Sequence, residues 1–405
     1  MIHYMTSNGV GNAWVANELR AVAAEGLPVA LHALRRPTDT FFKSEDIAAM
    51  DRSTNGLYPL PKARSVASFA LAPIRFRQRF AQAAFNALAG EREGWRARLA
   101  GIWHLYVACD WATTQRAAEV GHIHSQWIHS GGTVAMYGAW LLGTPFSFTG
   151  HAADLFRDRV ALTDKIRRAK FIICISEFHR NFYLDNGARP EQLQIAYCGI
   201  DTTHFSPSPR HRGPDEPYHI ISSGRLVEKK GFNVLIDACA ILRARGVNFR
   251  CTIGGSGPLE SLLREQVRTA ALGDLVQLTG TALKQEDIPS FMHGGDAYCL
   301  PCQWASDRDV DGLPQMLMEA MACGVPTVST RLVGIPDLVI DGETGLLVEP
   351  EQPEALADAL QRLMDDPGLG ARLAACGRKR VLEVFDLSVC LKPLLERFRA
   401  SLEAQ

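Results

Sequence analysis

The 405-residue chain contains no apolar run approaching the roughly 18 residues that a membrane-spanning helix needs, so no helical span is expected. It also lacks a basic surplus. Lys and Arg number 43 against 44 Asp and Glu, a net charge of −1, which argues against a general nucleic-acid binder that must neutralise phosphates. The ten cysteines show no framework of short, even spacings, as expected of a reduced cytoplasmic protein. Cys299-Leu-Pro-Cys302 has no second pair beside it and reads as packing, not as a zinc site. The Gly-x-x-x-x-Gly-Lys-Ser/Thr loop of nucleotide triphosphatases is missing. The dinucleotide fingerprint is missing too. After Gly9-Val-Gly11 the third glycine is replaced by Trp14, and after Gly255-Ser-Gly257 by Glu260. That glycine lets helix and strand approach closely, so a nicotinamide dehydrogenase is not expected. The opening Met1–Ser7 is too short and polar for a signal peptide and reads as a first strand.

A composition of 47% hydrophobic and 21% charged residues describes a globular chain long enough for two or three cores. Its two halves open alike, each with a strand, a polar glycine loop and an amphipathic helix. The first is Ile2–Thr6, Ser7–Asn12 and a helix over about 13–25; the second is His219–Ser223, Gly224–Gly231 and a helix over about 232–245. Short apolar runs follow at Val29–Leu34, Gly121–His124, Pro145–Thr149 and Phe171–Ile175. In the second half they fall at Phe249–Ile253, Val276–Leu278, Ala297–Leu300 and Thr327–Ser329. Strands alternating with helices predict parallel, doubly wound sheets. The Pro-rich stretch Ser206–Pro217 is the expected boundary. Residues 1–205 hold 22 basic and 17 acidic residues, leaving 21 and 27 for the remainder, so the near-neutral total conceals two halves of opposite sign.

The first-half excess concentrates at Lys62, Arg64, Arg75, Arg77, Arg79, Arg92, Arg96 and Arg98, against Glu91 and Glu93 alone. Phe69, Leu71, Ile74, Phe76, Phe80, Phe85 and Leu88 interleave with these cations. The pattern suits either docking to an anionic membrane surface or a surface helix covering the first core.

Arg225 and Lys230 occupy the loop after the first strand of the second half, where open α/β sheets bind ligands. They read as a diphosphate clamp or as a solvated turn. In Asp311–Pro326, Pro314 opens a helix and Gly324 follows its end. Leu313, Met316, Leu317, Ala320 and Met321 form its apolar stripe, and Glu319 lies at the flank of that stripe. A carboxylate there needs donors, either a local partner or sugar and ribose hydroxyls. His122 and His124, two apart on a strand, share one face and read as structural.

Gly224-Arg225…Lys230-Gly231, the turn Gly255-Ser-Gly-Pro258, Asp311…Glu319-Ala-Met-Ala-Cys-Gly-Val-Pro326 and Gly334–Val348 together resemble the nucleotide-sugar-binding domain of family 4 glycosyltransferases. The match is strong over about 195–385 and more diffuse before that. It implies an α/β chain of the GT-B fold, with two doubly wound Rossmann-like domains facing a cleft. Residues 1–205 would be the acceptor-side domain, 206–385 the nucleotide-sugar domain, and 386–405 a C-terminal helix returning to the first. The resemblance assigns Arg225 and Lys230 to the donor diphosphate and Glu319 to the ribose hydroxyls. Asp311 stands where the family's first Glu contacts the transferred sugar, one methylene shorter, with the amides of Gly312 and Leu313 assisting. Gly280 and Thr281 fall at the base-binding loop. Pro145–Phe156 resembles the family's histidine loop and makes His151 catalytic together with Asp311, Arg225 and Lys230. Gly9 and Gly11 belong to the acceptor-side loop. Cys198–Phe205 resembles the strand-turn leading into the family's linker.

Asp307-Arg-Asp309 and Asp309-Val-Asp311 match the metal signature of another glycosyltransferase fold. The resembling family works without a metal, so they read as loop and no cofactor is expected. The implied activity is a retaining transfer of a sugar from a nucleotide-diphosphate sugar to a glycan or lipid-linked acceptor, in the cytoplasm or at the inner membrane face. Asn17-Glu18-Leu-Arg-Ala and Leu34-Arg-Arg-Pro37 are similar to exopolysaccharide and colanic-acid-type members. The alternatives are a GT-B nucleotide-sugar epimerase and a non-catalytic GT-B binding subunit.

Overall fold

Among the described residues all strand pairs are parallel, so each sheet must be covered by helices on both faces. The computed structural model describes residues 1–11, 13–36, 45–151, 155–156, 159–207, 212–213 and 215–403. These divide into two units, 1–197 with 390–405, and 198–389. Asn12, Pro37, residues 152–154 of the histidine loop, and 208–211 and 214 of the Pro-rich stretch lie outside the described residues.

The N-terminal unit has seven strands: β1 Ile2–Thr6, β2 Val29–Ala33, β3 Asn55–Gly56, β4 His122–Gln126, β5 Phe146–Thr149, β6 Phe171–Cys174 and β7 Leu193–Ile195. Their order is β3-β2-β1-β4-β5-β6-β7. The C-terminal unit has six: β8 Tyr218–Ser223, β9 Phe249–Gly254, β10 Val276–Leu278, β11 Ala297–Leu300, β12 Thr327–Thr330 and β13 Leu346–Val348, ordered β10-β9-β8-β11-β12-β13. In each sheet the winding reverses once, between β1 and β4 and between β8 and β11. At such switch points the loops diverge and leave a crevice outside the carboxyl ends of the strands.

The helix Ala13–Ala24 packs on its sheet through Val15, Ala16, Leu19 and Val22, the spacing of one helical face. Strand β4 is unusual because His122, His124, Ser125 and Gln126 are all buried. Its imidazoles find partners at once. His122 bonds Ser147 (2.6 Å) and Ser401 (2.7 Å), and His124 bonds Ser147 (2.8 Å) and Thr149 (3.2 Å). Ser401 lies on the helix Lys392–Glu403, which belongs to the N-terminal unit and buries Leu394, Leu395 and Phe398. The boundary expected within 206–217 falls earlier, at 197/198. Ile200 bridges Asp386, and the Thr202 hydroxyl donates to Asp386 (2.5 Å), which ties 198–205 to the C-terminal unit.

Residues 62–98 form the helices Lys62–Phe76 and Gln78–Ala89 and the start of Trp95–Thr114. Small residues face inward: Ser65, Ser68 and Ala72, then Ala83 and Ala87. Phe76 is buried with them, but Val66, Leu71, Ile74, Phe85, Leu88 and Trp95 point out, Ile74 73% and Phe85 72% exposed. Five of the eight cations in this segment, Arg64, Arg75, Arg79, Arg92 and Arg98, bond to the protein itself. Arg64 donates to both oxygens of Asp110 (3.0 and 2.7 Å), Arg92 pairs with Asp164 (2.7 Å), and Arg79 donates to the Leu142 carbonyl (2.8 Å). No helix among the described residues is long and apolar enough to cross a membrane.

Among the described residues seven buried histidines have depressed pKa values: His3 at about 4, His32, His104, His122, His151 and His179 at about 3, and His124 well below the ordinary histidine value. Burial is the main cause for each, and all seven belong to the N-terminal unit. In the unfolded chain each titrates at about 6.5, so below that pH the unfolded state binds more protons and stability is lost. Full expression amounts to about 1.4 kcal/mol per group for each pH unit. Glu18, raised to about 7 by burial, opposes this with one group, and Glu319 does the same in the C-terminal unit. Urea unfolding followed by hydrogen exchange should therefore show the N-terminal unit weakening between pH 6.5 and 5. The C-terminal unit should hold or gain stability over that range, and equal weakening of both would contradict the assignment.

Candidate active site

The loop after β8 is shaped by backbone-on-backbone contact. Gly224 (φ 150°) and Gly255 (φ 144°) lie so close that a Cβ on Gly255 would sit 1.9 Å from the Gly224 oxygen, a position open to glycine alone. The Leu226 amide donates to the Ser256 carbonyl (2.9 Å), and the Leu259 amide donates back to the Leu226 carbonyl (3.1 Å). Gly231, left-handed at φ 66°, starts the helix Phe232–Ala244 against the Pro301 carbonyl. Loops following β8, β9 and β11 are thus locked together at the carboxyl edge.

Within this frame, charge is compensated internally. Lys230 Nζ pairs with Asp311 Oδ2 (2.5 Å), while Lys229 Nζ reaches Asp311 Oδ1 and Asp309 Oδ2 (3.1 Å each). Burial disfavours the Asp311 carboxylate, but the two lysines outweigh it and hold its pKa at about 2. Burial likewise opposes the Lys230 ammonium, and Asp311 leads the groups that raise its pKa above the ordinary lysine value. Buried pairs of this kind persist only when geometry and further bonds offset desolvation. The exposed Arg225 guanidinium has no carboxylate partner among the described residues.

Glu319 rises from the helix Gln315–Ala322, 5% exposed, and its Oε2 has no hydrogen-bond partner among the described residues. Burial pushes its pKa up to about 7, against a hydrogen bond from Gln285. An orphaned buried acceptor is costly unless something supplies a donor. Gly280 (φ 70°) and the exposed Thr281 follow β10; the Thr279 hydroxyl receives the Gly255 amide (3.1 Å) and donates to the Thr281 carbonyl (3.1 Å). The Gly312 carbonyl receives the Gly334 amide (3.0 Å), and Leu313 is buried.

At the carboxyl edge of the N-terminal sheet, Gly9 (φ 51°) and Gly11 form a tight turn in which the Gly11 amide donates to the Asn8 carbonyl (2.9 Å). Trp14, in place of a third glycine, packs its ring 4.1 Å from that of His151. Trp127, whose φ of 110° is strained for a non-glycine residue, closes over the imidazole from 5.0 Å. His151 Nε2 lies 3.0 Å from Gln126 Oε1. Its pKa falls to about 3 through burial and the nearby His179, so the ring is neutral at working pH. A cavity of about 770 Å³ lies in the same unit, bounded by Trp95, Arg96, His129, Ser130 and Arg159.

The sequence expectations meet this geometry unevenly. Arg225, Lys230, Gly280, Thr281, Gly312 and Leu313 lie in the segments after β8, β10 and β11, and Glu319 is the fifth residue of the helix Gln315–Ala322; the Lys230 ammonium is paired with Asp311. Asp311, expected at a sugar, is the anchor of two lysines. Sequence reasoning passed over Lys229, whose pairing no spacing rule announces, and over Gln126. Cys299 and Cys302 are buried thiols, Cys302 lying 3.9 Å from Asp311. Among the described residues no cluster could hold a metal ion.

Two protein-family models cover nearly the whole chain between them. One, described as glycosyltransferase family 4, matches residues 11–204, and the other, glycosyl transferases group 1, matches 208–380. The chain belongs to these family 4, group 1 glycosyltransferases. It is 39% identical over 194 residues to WcaL of Escherichia coli, named a colanic acid biosynthesis glycosyltransferase, an alignment covering 48% of this chain and 47% of that protein. It is 32% identical over 252 residues to the amylovoran biosynthesis glycosyltransferase AmsK of Erwinia amylovora, covering 61% of each. The chain thus spans about half to three-fifths of the length of these relatives. Sucrose-phosphate synthase of Thermosynechococcus elongatus superposes with a TM-score of 0.70 at 20% identity over the whole of both chains. HepE of Anabaena, solved with UDP and glucose, superposes at 0.69 and 17% identity, covering 99% and 100%. The fold is therefore GT-B.

The buried lysine–aspartate cluster makes a stability prediction. Asp311→Ala leaves two ammonium groups partly uncompensated and should cost the C-terminal unit about 3–5 kcal/mol in urea unfolding. Adding Lys230→Met to that variant should restore a good part of the loss. An Asp311→Ala chain as stable as its parent would mean that solvent screens the cluster.

Proposed function

We propose that the chain transfers a sugar from a nucleotide-diphosphate sugar to a glycan or lipid-linked acceptor in the synthesis of an exopolysaccharide or other cell-surface glycan. The observation carrying this reading is Glu319, a buried carboxylate with one oxygen unpartnered among the described residues and within the field of the Lys230 ammonium. Ribose hydroxyls would donate to Glu319, and Arg225, Lys230 and Lys229 would face the diphosphate. Gly280 and Thr281 would border the base, and Gly312 and Leu313 the sugar. Asp311 would act mainly by holding Lys230 in place.

The reading includes retention of anomeric configuration. The bond from C1 to the diphosphate oxygen breaks with its electrons leaving on the phosphate. The acceptor hydroxyl oxygen bonds C1 from the same face, and its proton passes to a departing phosphate oxygen. Charge growing on the leaving group is what the cations stabilise, and loss of one such group typically costs about 10²–10³ in turnover. Neutral His151 would receive a hydrogen bond from a sugar hydroxyl. No step calls for a metal.

The acceptor would be met at a membrane surface. On the two helices spanning 62–89, Ser65, Ser68, Ala72, Phe76, Ala83 and Ala87 are buried, while Val66, Leu71, Ile74, Phe85 and Leu88 stand exposed. Lys62, Arg77 and Arg96 have no carboxylate partner among the described residues. Apolar side chains among unpaired cations suit the interface of anionic lipid on the cytoplasmic side.

Incubation with a panel of nucleotide sugars and a cell-envelope lipid extract tests the activity. Acceptor-dependent release of nucleoside diphosphate is expected, lowered at least tenfold by Glu319→Ala or Lys230→Ala. Acceptor-free isomerisation of the donor, or tight binding without turnover, would replace the reading with an epimerase or a binding subunit. Vesicles containing anionic lipid should sediment the protein at low salt, and Ile74→Ser with Phe85→Ser should reduce that; neutral vesicles working as well would remove the electrostatic argument.

A further inference from the structure

The cavity of about 770 Å³ in the N-terminal unit takes no part in holding the donor, yet its walls carry charge. Arg96 and Arg159 both line it, and neither guanidinium has a carboxylate partner among the described residues. Arg159 donates through Nε to the Leu155 carbonyl. Arg96 lies over the Trp95 ring, 5.4 Å from its centroid. Ser130, also in the lining, opens the helix Ser130–Leu142, whose dipole favours an anion at that end. Just before it, the buried Lys165 ammonium donates to the Ile128 and His129 carbonyls. Among the described residues Glu93 is the one carboxylate of the lining, and it accepts the Ala161 and Leu162 amides (3.0 Å each).

The helix Trp95–Thr114 gives this cavity both a polar and an apolar border. Ala97 and Ala100 line it, and His104 follows one turn later on the same face. His104 is 5% exposed, and its Nδ1 has no hydrogen-bond partner among the described residues. A buried ring nitrogen left this way is costly unless a ligand supplies the partner. Burial, and then the charges of Lys165 and His129, hold its pKa at about 3, so the ring is neutral and suited to a hydroxyl. Trp95, Leu99 and Trp103 recur every four residues and are exposed, an apolar stripe on the outside of the helix. Trp95 belongs to both the stripe and the cavity wall.

We propose that this cavity binds the phosphate-bearing end of a lipid-linked saccharide, with Arg96 and Arg159 on the phosphate and the lipid chain along Trp95, Leu99 and Trp103. The proposal rests on the transferase reading and narrows its acceptor to a lipid phosphate. A neutral glycan brings no charge to the two guanidinium groups. A soluble sugar phosphate leaves the apolar stripe uncovered. A phosphate ester with sugar on one side and an apolar chain on the other satisfies both, and guanidinium groups match phosphate oxygens in pairs of hydrogen bonds. The sugar would occupy the alanine-lined side, toward His104. The volume falls within the roughly 300–1,000 Å³ usual for small-molecule sites.

Binding needs no turnover, so the first test is calorimetry on the full chain with farnesyl phosphate as probe, against farnesol and inorganic phosphate. Farnesyl phosphate should bind about tenfold or more tighter than either, the loss expected when a charge-assisted bond or an apolar contact is removed. Arg96→Gln and Arg159→Gln should each weaken it about tenfold. Arg96 is exposed, so its replacement leaves the core intact. Arg116→Gln, at an exposed ion pair with Glu119, should leave the affinity unchanged. In transfer assays with envelope lipid extract, Arg96→Gln should raise acceptor KM about tenfold with donor KM unchanged, the mark of lost acceptor binding. Mild acid hydrolysis of the extract, which cuts glycosyl phosphates, should abolish transfer. Farnesol binding as tightly as farnesyl phosphate, unchanged affinity in both arginine variants, or undiminished transfer to the hydrolysed extract overturns the proposal. Inorganic phosphate binding as tightly as the probe overturns it too, in favour of a free-phosphate site. A parent that binds the probe as expected but transfers no sugar sinks the transferase reading while upholding the lipid-phosphate site.

Discussion

Because the described strands of both sheets are all parallel, the sheet faces must be sealed by helices, and a polar group on a central strand has no water to fall back on. The consequence runs through the whole molecule. Where β4 carries histidines instead of aliphatic residues, each ring is met by Ser147, Thr149 or Ser401. Glu319 Oε2, left without a partner among the described residues, stands on the helix that follows the loop after β11, and it is outside the carboxyl ends of parallel strands that crossover loops diverge enough to admit a ligand. The division of labour between covered faces and open edges follows from strand direction alone.

The edge of the C-terminal sheet is electrostatically poised instead of simply positive. Lys229 and Lys230 are balanced by Asp309 and Asp311, leaving Arg225 as the surplus. The site can hold cations in a buried place without a ligand because their countercharge is built in. A diphosphate would meet groups already oriented, and their desolvation would already have been offset during folding.

Much of this was legible in the sequence, and what was not has definite causes. The apolar runs marked β1, β8, β10 and β11 almost to the residue because buried parallel strands are continuous in hydrophobicity. Asn55–Gly56, Leu193–Ile195 and Leu346–Val348 escaped notice, since two or three residues carry no period. Gly121–His124 was expected as a strand, yet the strand continues through Ser125 and Gln126, polar residues that look like a loop until their partners are known. Arg225, Lys230 and Glu319 were recognisable from spacing and from the family motifs. The pairing that makes Lys230 a buried partner of Asp311 was not, because a sequence gives the loop but not the direction in which two neighbouring lysines point. Gln126 bore no mark at all. Its amide lies between the Glu18 carboxylate and the His151 imidazole, contributed by distant segments.

The return of residues 390–405 to the first unit has a consequence for how the chain is made. Domains are usually completed in order as they leave the ribosome, but here the unit that holds 1–197 is completed only after the unit that holds 198–389. The C-terminal unit has all of its residues by Val389, while the N-terminal sheet still lacks the helix that covers β4 and supplies Ser401 to His122. During synthesis the N-terminal half must wait with part of its polar strand uncovered, and the second half is in effect an insertion within the first.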